Sequence, residues 1–118
     1  MNHRKHTGMT LKNCLFVEIQ RRGRAAVETV EFPSDGTLSL EPIADVAFTL
    51  PYVRKVEIRP QVANSGEALW GQPFKDQSKR HTRLADEGQL EADLRAVQGD
   101  ATVEKMYTLR RTYLQEQQ

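Results

Sequence analysis

Apolar and polar residues alternate from Cys14 to Gln20, with Leu15, Val17 and Ile19 on one side and Phe16, Glu18 and Gln20 on the other. Alternation over this length predicts a half-buried β-strand. Arg21-Arg22-Gly23-Arg24 follows, and Gly23 suits the positive φ of a hairpin turn. Ala25 to Phe32 reads as the returning strand, with Ala26, Glu28, Val30 and Phe32 alternating with Val27, Thr29 and Glu31. Pro33-Ser34-Asp35-Gly36 is a turn signal. Thr37 to Leu40 then predicts a short third strand ended by Pro42. Ile43 to Leu50 fits two templates: Val46, Phe48 and Leu50 alternate, while Ile43, Ala44 and Ala47 fit a helical turn. Pro51 stops either. Val53 to Arg59 predicts another strand, with Val56 and Ile58 toward the core, Arg54 on their side, and Lys55 and Glu57 on the other face.

The pattern breaks over residues 61–77, where Asn64-Ser65-Gly66 and Gly71-Gln72-Pro73 are loop signals. Trp70 and Phe74 stand inside this stretch, which is long for a structureless loop, so the two rings are expected to pin it. Beyond it the period becomes helical. Asp86 with Gln89 three residues on forms a capping-box pattern, Leu90, Leu94 and Val97 follow at helical spacing, and Gly99 is a natural stop. Asp100 caps a second helix with Val103, Met106, Leu109 and Tyr113 as its stripe and Tyr107 and Leu114 on the flank. The short Gly99-Asp100 link predicts an antiparallel helical hairpin. Strands followed by helices predict an α+β fold: an N-terminal antiparallel β meander of about four strands, then an α-helical hairpin packed on or beside the sheet. The expected organisation is a basic leader at 1–11 and one domain over 12–118, with strands at 12–60, a loop at 61–77 and helices at 78–118.

Composition narrows the classes. The chain has 118 residues, enough for one core without crosslinks. Its one cysteine, Cys14, excludes an internal disulfide, and no Cys-x-x-Cys or His-Glu-x-x-His spacing is present. No apolar run approaches the roughly 20 residues of a membrane helix. The basic start (Arg4, Lys5) is followed by Lys12, Asn13 and Glu18, which spoil a signal peptide, and Lys12 and Asn13 replace the small residues of a lipoprotein cleavage site before Cys14. A cytoplasmic protein with no membrane contact is the expectation, and Met9 is a candidate second start.

The net charge of +1 conceals five alternating blocks. Residues 1–24 carry +5, 25–50 carry −5, 51–83 carry +4, 84–104 carry −5 and 105–118 carry +2. Asp86, Glu87 and Glu91 at the start of one helix, and Arg110 and Arg111 near the end of the next, suit the helix dipole and are expected to pair across the hairpin. Arg54, Lys55 and Arg59 read as the charges of a protected edge strand.

No catalytic, cofactor-binding or metal-ligating set emerges, and no cofactor is expected. His3 and His6 have ligand-like spacing but fall in the leader, and a nucleophilic Cys14 would need His81 as its base. The leading expectation is therefore a small non-enzymatic interaction module that self-associates or acts as an adaptor or regulatory subunit. Its contacts would be complementary charged surfaces and an apolar helix face, with Trp70, Phe74, Met106, Tyr107, Tyr113 and Leu114 as interface candidates. The alternative is a small nucleic-acid-binding regulator with basic contacts at Arg21, Arg22 and Arg24 of the hairpin tip and at Lys79, Arg80 and Arg83 of the second basic run. It is the less favoured of the two partners. An enzyme with an unrecognised site stands third.

Overall fold

The computed structural model describes residues 13–60, 75–76 and 83–117. Its elements are β1 (Asn13–Gln20), β2 (Val27–Ser34), α1 (Glu41–Phe48), β3 (Val53–Pro60), β4 (Lys75–Asp76), α2 (Gln89–Gln98) and α3 (Asp100–Glu116). The α+β class holds, with an antiparallel sheet preceding a helical pair. Among the described residues three full strands form the sheet rather than four, and the two-residue β4 pairs with Lys55 and Val56 on the far edge of β3.

The predicted strand at 37–40 is absent. β2 runs on through Pro33 to Ser34, and the chain then turns on Asp35, whose carboxylate accepts from the backbone N–H and hydroxyl of Thr37. Pro33 is tolerated because β2 is an edge strand. The ambiguous stretch resolves as α1, and Pro42 sits in its first turn, where its missing N–H costs nothing. A proline expected to end a strand thus begins a helix. α1 buries Ile43, Ala44 and Ala47.

The helix changes the strand order. β1 lies at the centre, with β2 and β3 antiparallel to it on either side, so β2 and β3 are connected across β1 by α1. Leu15, Val17 and Ile19 are fully buried and meet Phe32 and Val30 on one flank and Ile58, Val56 and Val53 on the other. The helical layer packs on this face. α1 packs on β3, α3 on β2, and α2 lies between the other two helices. Leu90, Leu94, Val103 and Met106 complete the core. Tyr52 is fully buried before β3, and its hydroxyl donates to Asp93 of α2 at 2.7 Å.

The capping box is half realised. Gln89 accepts from the Asp86 backbone N–H at 2.9 Å, but α2 begins at Gln89 after Gly88, whose φ of 73° is left-handed. The Asp86 carboxylate is used elsewhere. Gly99 alone separates α2 from α3, and Arg95 binds Glu91, Asp100 and Glu104, fixing the elbow from inside.

Candidate interaction surfaces

The basic hairpin tip is exposed, but Arg21 and Arg22 are engaged in ion pairs. Residues 22–27 are all exposed, and the turn closes on Arg24 N–H donating to the Arg21 carbonyl at 3.1 Å. Arg21 binds Glu28 at 2.9 Å and lies 3.8 Å from Glu87, while Arg22 binds Asp86 at 2.7 Å. The Arg21 guanidinium holds the Glu28 carboxyl below its ordinary pKa, chiefly through their hydrogen bond. The pairing predicted across the helices goes instead to this tip. Arg110 donates to the Glu31 carbonyl at 3.1 Å and Arg111 to the Thr108 hydroxyl at 3.2 Å. The physical reason is a backbone bridge. Ala85 N–H donates to the Gln20 carbonyl and Arg22 N–H to the Ala85 carbonyl, both at 2.8 Å, carrying Asp86 and Glu87 to the hairpin.

The same bridge brings Arg83 to this end of the sheet, where its N–H donates to the Pro51 carbonyl at 3.3 Å. Arg83 stands two residues before Ala85, the residue that bridges to Arg21. Lys79, Arg80 and His81 lie outside the described residues, as do Trp70 and Phe74.

Helix α3 wraps the edge of β2 from three directions. Met106 is fully buried inside, and Tyr107 packs edge-on against Phe32 with ring centroids 5.2 Å apart. Arg110 covers a carbonyl of the β2 edge, which blocks strand pairing at that point. Tyr113, half-buried, reaches Glu31 on the opposite face, and burial and that carboxylate raise its pKa. The apolar residues that exceed a single helix stripe are thus spent on the chain's own strand. Leu114 keeps 39% exposure.

The outer face of the sheet carries a different arrangement. Cross-strand rows place Glu31, Phe16 and Glu57 side by side, and next to them Thr29, Glu18 and Lys55. A bulge on β3 opposite Glu18 and Ile19 moves Arg54 to this face, where its Nε lies 3.4 Å from Glu18. Arg54 therefore does not follow the Val56 side predicted for it, because the extra residue breaks the alternation. Arg59 binds Glu57 at 3.0 Å and stands 5.0 Å over the Phe16 ring. Phe16, Glu18, Thr29, Lys55, Glu57 and Arg59 line a trough of about 320 Å³. Phe16, Glu18 and Glu57 were not anticipated as site residues. Their signal was the second parity of β1 and β3, where a phenylalanine stands among charges.

Comparison with known proteins adds no relative. No family model, curated protein or solved structure matches the chain. Among the described residues no group of three or more His, Cys, Asp or Glu is placed to hold a metal ion, and no helix is long and apolar enough to cross a membrane. Cys14 is fully buried.

Proposed function

We propose that the chain is a small non-enzymatic interaction module that engages a protein partner, or a second copy, through the outer face of its sheet. The observation that carries this reading is the trough around Phe16. It joins an aromatic ring to half-exposed side chains of both signs on the face opposite the helical layer. Such a surface combines an apolar contact with charges that fix register and partner choice. The hairpin end favours the nucleic-acid alternative less, because Arg21 and Arg22 pair with Glu28, Asp86 and Glu87 of the same chain.

Light scattering over a concentration series, paired with affinity capture on wild-type and Arg59→Glu baits, tests the reading. The expected result is either self-association or a bound protein that the variant loses. A monomer at every concentration whose captured proteins are the same for both baits overturns it.

A further inference from the structure

A cavity of about 170 Å³ opens between β2, the start of α2 and the middle of α3. It lies on the helical side of the sheet, because its floor is Val30 and Leu90, both buried members of the core. The wall is polar, and two donors on it are left over. Tyr107 is half-buried with its ring against Phe32, and its hydroxyl has no hydrogen-bond partner among the described residues. Arg110 spends its Nε on the Glu31 carbonyl and pairs with no carboxylate among the described residues. Arg21 is different, since Glu28 holds it at 2.9 Å. Glu91 reaches the cavity from α2, and Arg95, which holds one of its oxygens, does not line it. Burial pushes the Tyr107 pKa up to about 12; the Glu91 carboxylate adds to this and Arg110 opposes it, so both charges are felt at the phenol.

We propose that this cavity binds a small zwitterion, a free α-amino acid with a short apolar side chain. Its carboxylate accepts from the Tyr107 hydroxyl and the Arg110 guanidinium, whose planar fork matches a carboxylate. Its ammonium faces Glu91, and its side chain rests on Val30 and Leu90. The mixed wall selects this class. An anion with no positive group would face the carboxylates of Glu28, Glu87 and Glu91. A cation with no acid would leave Tyr107 and Arg110 without an acceptor. Burying either mismatch costs more than the remaining contact returns. The volume also restricts the occupant, since about 170 Å³ falls below the roughly 300 Å³ at which sites for drug-sized ligands begin. A few convergent polar groups over an apolar floor is the usual construction of a small-molecule site. The cavity is separate from the outer sheet face, so failure of either reading leaves the other standing.

The test is titration of the full chain with L-alanine and L-valine, followed by the NMR shifts of the protein. Propionate and ethylamine serve as controls, because each is alanine without one of its two charged groups. At least one amino acid is expected to bind with a Kd of about 1 mM or tighter, as a ligand of this size allows. The shifts should centre on Val30, Leu90, Tyr107 and Arg110. Each control should bind at least about tenfold more weakly, the loss of one charge-assisted hydrogen bond. Tyr107→Phe keeps the ring on Phe32 and should weaken binding about tenfold with an unchanged melting temperature. Glu91→Gln leaves Arg95 with Asp100 and Glu104 and should weaken the amino acid while leaving propionate no weaker. Binding by neither amino acid overturns the proposal. So does a control that binds as tightly as alanine, or an affinity that Tyr107→Phe and Glu91→Gln both leave unchanged.

Discussion

The two faces of the sheet are built from the same strands and differ by one residue in parity. On the inner face Leu15, Val17 and Ile19 of β1 are fully buried against Phe32, Val56 and Ile58. On the outer face their neighbours Phe16 and Glu18 are half-buried, and Arg54 pairs with Glu18 and Arg59 with Glu57. The inner face supplies the energy that holds the fold, through apolar burial and close packing. The outer face supplies little, since exposed or half-exposed ion pairs contribute at most about 1 kcal/mol each. A residue can therefore be placed in the stabilising or the recognising set by parity along its strand, and the bulge at Arg54 moves one residue between the sets.

The sharpest break comes from the inner face. Leu15→Ala removes a fully buried side chain at the centre of the sheet and should cost about 3–4 kcal/mol, read as a lower urea midpoint with an unchanged slope. A loss below about 1 kcal/mol would place the core elsewhere. Tyr52→Phe is the intermediate case, because it keeps the buried ring and removes the hydroxyl that binds Asp93. It should cost about 1–2 kcal/mol at neutral pH. Burial and the Asp93 carboxylate raise the Tyr52 pKa well above its ordinary value of 10.0. Above pH 10 the unfolded chain gives up this proton while the folded chain keeps it, so stability is full below that pH and declines above it. Denaturation from pH 8 to 11 should show a shallower decline for Tyr52→Phe, with the remaining slope owed partly to Tyr107, pushed up to about 12 by burial. Parallel declines for wild type and variant would remove Tyr52 from the account.

Much of the inner face was legible in the sequence, and its edges were not. The alternations at Leu15–Ile19 and Val56–Ile58 and the stripes at Leu90–Leu94 and Val103–Met106 report burial directly, because local period and core face coincide there. Pro42 misleads because proline ends a strand and begins a helix with equal ease. The order of strands depends on where α1 crosses, a long-range property that no window of residues carries. The charges divide in the same way. Opposed blocks were visible, but Arg21, Arg22, Asp86 and Glu87 meet only because Ala85 bridges to the end of β1. Self-complementarity, expected between chains, is satisfied at this end within one chain. The surplus apolar residues of α3 follow suit, since Tyr107 and Tyr113 close around β2.

The smallest expected stability effect carries the largest functional weight. Arg59 is 51% exposed, and its contacts are the Glu57 carboxylate and the Phe16 ring. Parallel measurement of melting temperature and partner capture, or self-association, on Arg59→Glu beside Leu15→Ala tests the division of the two faces most directly. The account predicts that Arg59→Glu loses its partner while its stability changes by no more than about 1 kcal/mol. An Arg59→Glu protein as destabilised as Leu15→Ala, or one that melts and binds as wild type does, would contradict it.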